Sequence, residues 1–199
     1  MIYSIDRAVF RYINQELSNP LFDLFFPLIT EETNWVVPLI LFYLYLFSID
    51  WKRASTGLAI TLVGLVLTDA IASQILKPFF GRIRPSHEFS ETVSLLVGKG
   101  GRFSFPSNHA ANSMTYAIMT SFFYSKMKYP LYFLSGLIAF SRVYVGVHYP
   151  GDVLGGLLLG LTISIATLHI YSSAKLKILI KNNRNASKRN SVVHRDPPI

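Results

Sequence analysis

Three short polar clusters interrupt a mostly apolar chain and hold nearly all of its reactive side chains. The first is Lys77-Pro78-Phe79-Phe80-Gly81-Arg82-Ile83-Arg84-Pro85, and the second is Pro106-Ser107-Asn108-His109. The third runs from Ser141-Arg142 to His148 and Asp152. Arginine grips phosphate oxygens through paired hydrogen bonds, while lysine acts as a point charge. One histidine can attack phosphorus and another can protonate the departing oxygen. Together the clusters carry the inventory for binding a phosphate group, displacing it and protonating its leaving group.

Each cluster has a plainer reading when taken alone. Lys77 ends an apolar stretch, and Arg84 follows after Pro78 and Gly81 and just before Pro85. Such a backbone is stiff and non-helical. It either fixes two cations around an oxyanion or lets them reach lipid head groups. Ser107 and Asn108 open a helix, where unpaired N–H groups face any anion placed there. Ser107 adds a hydroxyl donor and His109 lies in the first turn, although the same residues also read as a cap. Arg142 sits near the end of an apolar stretch, where a charge is costly without an anionic partner. His148 closes that stretch, and Asp152 follows Pro150-Gly151 at the N-cap of the next helix. A carboxylate on one imidazole nitrogen fixes the tautomer and leaves the other nitrogen free to attack. Asp69, inside the apolar segment before Lys77, either pairs with a site cation or bonds a neighbouring helix. His87 and Glu88 lie in the outer loop, at a head group or in solvent.

The elements that must position these residues follow from the apolar spacing. Of 199 residues, 51% are hydrophobic and 15% charged, against about 25% charged in soluble domains. Apolar stretches over 35–49, 54–76, 107–124, 131–147 and 153–171 approach the roughly 20 residues that a bilayer-spanning helix needs. Residues 19–30 make a shorter, partly polar sixth, preceded by an interfacial amphipathic stretch at 1–18. The expectation is an all-α polytopic membrane bundle of about six transmembrane helices over residues 1–171, with the active site at one membrane face. Residues 172–199 read as a basic, disordered cytoplasmic tail. Gly156 and Gly160 suit close helix packing in lipid.

The net charge of +8 follows the apolar segments and not a solvated patch, so no nucleic-acid partner is expected. Of the 19 basic residues, Arg7, Arg11, Lys52, Arg53, Lys126, Lys128 and those from Lys175 onward fall on one side. That majority predicts a cytoplasmic face holding both termini, with all three clusters on the other face. The chain has no cysteine, which excludes disulfides and thiolate metal sites. No acidic cluster suits Mg²⁺, so no metal or cofactor is expected. Oligomeric state has no signature.

The three clusters resemble the signature of the type-2 phosphatidic acid phosphatase family: K-x(6)-R-P, P-S-G-H and S-R-x(5)-H-x(3)-D. Lys77, Arg84 and Pro85 match the first, and Ser141, Arg142, His148 and Asp152 match the third. The second matches except that Asn108 stands in place of glycine. The resemblance implies a metal-independent lipid phosphate phosphatase. His148 would be the nucleophile, oriented by Asp152 and forming a phosphohistidine, and His109 the general acid. Lys77, Arg84, Ser107, Arg142 and the backbone N–H of Asn108 would hold the phosphate, with Asp69 and His87 secondary. Similar family members act on phosphatidylglycerophosphate, phosphatidic acid, undecaprenyl diphosphate or the 1-phosphate of lipid A. An outward-facing site in a bacterial inner membrane, open to the periplasm or cell exterior, favours lipid A 1-phosphate or undecaprenyl diphosphate. A lipid phosphotransferase using the same phosphohistidine and a non-catalytic lipid-binding protein are the alternatives.

Overall fold

The computed structural model describes the backbone of residues 2–193 and the side chains of residues 3–185. Among these residues the regular structure is helical, apart from an isolated antiparallel bridge between Ile83 and Phe103. α1 (Ile2–Arg11) continues into a π-helical turn, Tyr12–Glu16. α2 (Pro20–Thr30) begins at Asn19, whose side chain accepts from the Phe22 N–H at 3.0 Å. Pro20 follows at the first helical position, where no N–H is needed. A 3₁₀ turn (Glu32–Trp35) leads to α3 (Val36–Ile49). Asp50 caps α4 (Trp51–Ala70) by accepting from the Arg53 N–H at 3.0 Å. α4 passes through a π-helical segment, Ile71–Leu76, into α5 (Lys77–Phe80), which Gly81 closes at φ 57°. The short α6 (Pro85–Glu88) and a long loop precede α7 (Asn108–Phe123), α8 (Lys128–Tyr144) and α9 (Pro150–Val193). The helix of α9 runs on through the basic segment that begins at Ser172. Residues up to Ser164 form one compact unit and those from Ile165 a second. The first unit holds all three polar clusters.

The polarity of the first unit suits hydrocarbon and not water. α3 leaves Val36, Val37, Ile40, Leu41 and Leu44 more than half exposed and buries only Leu46. A water-soluble surface rarely shows so large an apolar face. Glu32–Ile49, Trp51–Phe80 and Pro150–Asn185 are long and apolar enough to cross a membrane. α7 and α8, of 16 and 17 residues, are shorter and pack through small or polar side chains. Thr68 and Thr115 hydroxyls meet at 2.9 Å between α4 and α7, and Ser113 and Ser135 at 3.0 Å between α7 and α8.

Two expectations fail at the N-terminus. The sixth span expected over 19–30 is an 11-residue helix, which rises only about 16 Å against a bilayer core of ~30 Å. Both of its ends reach the last turns of α8: Asn19 and Asp23 bond the Tyr144 hydroxyl, and Thr30 bonds Arg142. α2 therefore lies across the end of the bundle where α8 finishes. Arg7 and Arg11, expected on the face opposite the clusters, lie beside them. Arg7 pairs with Glu88, Asp6 with Arg82, and Phe10 is buried edge-on against Tyr149. Specific ion pairs and burial decide the placement of α1, and a count of basic residues does not see them.

The close approach of α9 to α7 is set by glycine. A Cβ on Gly156 would stand 2.4 Å from the Ser107 carbonyl oxygen, and one on Gly160 2.4 Å from that of Ala111. Backbone atoms cannot swing aside. Gly160→Val is expected to lower the melting temperature of the detergent-solubilised protein, at an overpacking cost of ~1–3 kcal/mol. An unchanged thermal melt would show that the two helices tolerate separation there.

Candidate active site

Asp152, in the first turn of α9, has no exposed surface. Its Oδ1 accepts from the Arg82 guanidinium at 2.8 Å, and its Oδ2 from the Tyr149 N–H at 2.8 Å. His148 Nδ1 lies 3.5 Å from the same Oδ2. That is long for a hydrogen bond, but it places the N–H of the ring toward the carboxylate and leaves Nε2 free. The backbone carbonyl of Asp152 accepts from the Ser107 N–H at 3.0 Å, which pins the third cluster to the second. Arg82 also reaches Asp6 Oδ2 at 2.5 Å, and Asp6 Oδ1 accepts from the Gly151 N–H at 2.8 Å. Burial opposes the charge on Arg82, but Asp152 and Asp6 outweigh it and raise its pKa.

His148 is 1% exposed. The chain turns toward it through Gly146, at φ 87°, where a Cβ would stand 2.7 Å from the Ser94 carbonyl oxygen. Burial pushes the imidazole well below its ordinary pKa, and Arg84, Arg142, Lys77 and His109 push in the same direction. His148 is therefore neutral near pH 7, which is the nucleophilic form. That four charged or titrating groups from three clusters act on one ring shows how tightly they converge.

The cations are held from behind. Lys77 Nζ donates to the Pro106 carbonyl at 2.9 Å, and Arg84 Nε to the Phe103 carbonyl at 3.1 Å. Arg142 donates from Nη1 to Thr30 Oγ1 at 2.6 Å. Ser107 Oγ, Arg142 Nε and His148 Nδ1 are buried without a hydrogen-bond partner among the described residues. Such orphans are costly in a finished core. An oxyanion in their midst would take hydrogen bonds from Ser107 and Arg142.

His109 lies on the first turn of α7, with Nε2 3.1 Å from Glu32 Oε1. Beside it a cavity of about 690 Å³ opens between α2, α3, α4, α7 and α8, with Glu32, Asp69, His109, Asn112 and Tyr116 among apolar walls. Asp69, for which two partners were open, bonds a neighbouring helix: its Oδ1 accepts from Asn108 Nδ2 at 2.6 Å and Asn112 Nδ2 at 3.2 Å. Asn108 Nδ2 also lies 2.6 Å from Ser73 Oγ. The amide of Asn108 thus ties α7 to the preceding helix. His87 is exposed and faces the Gly100 carbonyl at 3.2 Å, so it does not join the others.

The structure brings Lys77, Arg84, Ser107, His109, Arg142, His148 and Asp152 together. Four contributors carried no site expectation. Arg82 stood inside the first cluster, but its spacing marks it no more than its neighbours. Asp6, Thr30 and Glu32 lie in the first 32 residues, where no motif exists. The one available signal was a row of lone acidic residues next to apolar helices.

Removing Arg82 would strand a buried carboxylate. Arg82→Ala is expected to cost about 3–5 kcal/mol, the usual penalty for breaking a buried pair, read as a fall in melting temperature. For His148 the sign follows from its lowered pKa: the unfolded chain takes the proton first as pH falls below about 6.5. The contribution of the neutral ring is complete above that value and is lost below it. The melting temperature should fall from pH 7.5 to 5.5, and fall less in His148→Asn. Equal falls in both proteins would refute the assignment.

The PAP2 superfamily model matches residues 54–175. A lipid A 4′-phosphatase of Porphyromonas gingivalis is 32% identical over 184 residues, covering 89% of this chain and 78% of that protein. The undecaprenyl-diphosphatase BcrC of Bacillus subtilis is 33% identical over 151 residues, covering 73% and 72%. The crystal structure of Aquifex aeolicus LpxE superposes with a TM-score of 0.64 at 29% identity, covering 83% of this chain and 95% of that one. The family match spans more than half of the chain and contains all three polar clusters, and on that ground the chain belongs to the PAP2 superfamily.

Proposed function

We propose that this protein is a membrane phosphatase that removes phosphate from a bacterial envelope lipid through a phosphohistidine. The observation that carries the reading is a neutral, buried His148 backed by Asp152 and ringed by Lys77, Arg84 and Arg142. His148 Nε2 attacks phosphorus in line. Lys77, Arg84, Arg142, Ser107 Oγ and the first N–H groups of α7 neutralise the phosphoryl oxygens. Positive charge that develops on the imidazole is met by Asp152, which Arg82 and the Tyr149 N–H hold in place. His109 gives its proton to the departing oxygen and then draws a proton from the water that clears the phosphohistidine. Each acid–base role is worth about 10²–10⁴ in rate. All of these steps use side chains of this chain.

Lipid A is the first substrate to test, because the Porphyromonas gingivalis relative aligns over most of both chains. Undecaprenyl diphosphate stands second. We assign residues 1–171 to the phosphatase and 172–199 to a basic cytoplasmic tail. Lys52, Arg53, Lys126 and Lys128 cap the end of the bundle away from the site, which favours a site on the non-cytoplasmic face of the inner membrane.

Purified protein in detergent with EDTA should release free phosphate from one lipid among lipid A, undecaprenyl diphosphate, phosphatidylglycerophosphate and phosphatidic acid. His148→Ala should abolish release, and turnover retained by that variant would sink the covalent mechanism. Arg142→Lys should fall by at least about tenfold, because a point charge cannot replace a planar fork. The chain has no cysteine, so Lys99→Cys gives a single label site. It should react with an impermeant maleimide from outside intact cells, and reaction only after lysis would reverse the orientation.

A further inference from the structure

Glu32 belongs to none of the three clusters, yet its Oε1 lies 3.1 Å from His109 Nε2, and its side chain is 78% exposed. It is an exposed charge at the cavity and not a buried structural partner. Nε2 is the atom that hands a proton to the departing oxygen. That oxygen must take the place Glu32 holds, so the leaving group arrives against a carboxylate. The cavity repeats the sign: Glu32 and Asp69 line it, and among the described residues no lysine or arginine does. The charge of Glu31 reaches Arg142 together with that of Glu32. Lys77, Arg84 and Arg142 stand around His148 on the side of the transferred phosphoryl group, and their charge reaches His109 as well.

We infer that Glu32 is a specificity-determining residue that selects lipid phosphomonoesters over lipid diphosphates. In both reactions a bond forms between His148 Nε2 and phosphorus, and the bond from phosphorus to the leaving oxygen breaks. From a monoester that oxygen takes the His109 proton and departs as a neutral hydroxyl. From a diphosphate the oxygen belongs to a second phosphoryl group. It departs as a lipid monophosphate that remains anionic after accepting the proton. Such a leaving group meets the Glu32 carboxylate and finds no cation along the cavity wall. Like-charge opposition at the contact is an effective way to reject a wrong substrate. The inference rests on the assignment of His109 as the acid.

The test compares kcat/KM of the full chain in detergent on four probes. Phosphatidic acid and monophosphoryl lipid A are the monoesters, and farnesyl and undecaprenyl diphosphate are the diphosphates. The wild type should favour the monoesters. Glu32→Gln should raise the diphosphate-to-monoester ratio about tenfold, the scale of one unit charge acting at a partly screened site. Glu32→Asp, which keeps the charge, should keep the preference. A residue that merely supports the fold would lower both substrate classes together. An unmoved ratio in Glu32→Gln, an equal shift in Glu32→Asp, or a wild type that favours diphosphates overturns the inference. A wild type inert on all four probes and on phosphatidylglycerophosphate, or one indifferent to His109→Ala, removes the parent reading and this one with it. An active, His109-dependent enzyme with an unmoved ratio overturns this inference alone.

Discussion

A carboxylate with no exposed surface persists only when countercharge and hydrogen bonds replace the water it has lost. Asp152 is that carboxylate, and the site is organised by what satisfies it. Arg82 comes from the loop after α5 and the Tyr149 N–H from the turn before α9, while the backbone carbonyl of Asp152 takes the Ser107 N–H. Three stretches distant in sequence are fixed at one point, and His148 is placed by adjacency to it. Arg82 is doubly engaged, since Asp6 shares it. The amino-terminal helix is therefore part of the scaffold of the carboxylate.

The cations obey the opposite logic. Burial keeps the His148 imidazole neutral, and Lys77, Arg84 and Arg142 stand close enough to push in the same direction. Each is tethered through backbone carbonyls or the Thr30 hydroxyl and not through a carboxylate. Neutral acceptors hold them in place without cancelling their charge. Their mutual repulsion persists in a poorly screened interior, and an incoming phosphate relieves it. The polypeptide thus carries stored electrostatic tension at the site, balanced by the satisfied ion pairs of Asp152, Arg82 and Asp6.

The sequence made the reactive centre legible because its chemistry is carried by rare residue types. Each lysine, arginine or histidine at the end of an apolar run has a bland explanation when taken alone, and it was the spacings that joined them. The long helices were legible from composition: the largely apolar runs within α3, α4 and α9 admit one environment. The N-terminal third was not. α2 has the composition of a membrane helix but only 11 residues, and composition does not report whether a short helix crosses or lies flat. Arg7 and Arg11 were assigned by a statistical charge rule, whereas their partners Glu88 and Phe89 are about 80 residues away and visible only in the fold. Thr30 and Glu32 reach the site through tertiary packing that no local pattern encodes. Asn108 looked like a defect in a glycine position, but its side chain supplies a tie to Asp69 and Ser73.

The interlock of α1 with the far end of the chain bears on biosynthesis. Asp6 bonds Gly151 across 145 residues, and Asn14 bonds Tyr144 across 130. A ribosome delivers the first of these partners long before the second. The amino-terminal helix must therefore wait, already on the correct side of the bilayer, until the last helix of the bundle begins to insert. No shorter nascent chain holds both Arg82 and its two carboxylates. The charged centre is completed in one late event, and a translation product that ends before Asp152 holds Arg82 with only one of its two carboxylates.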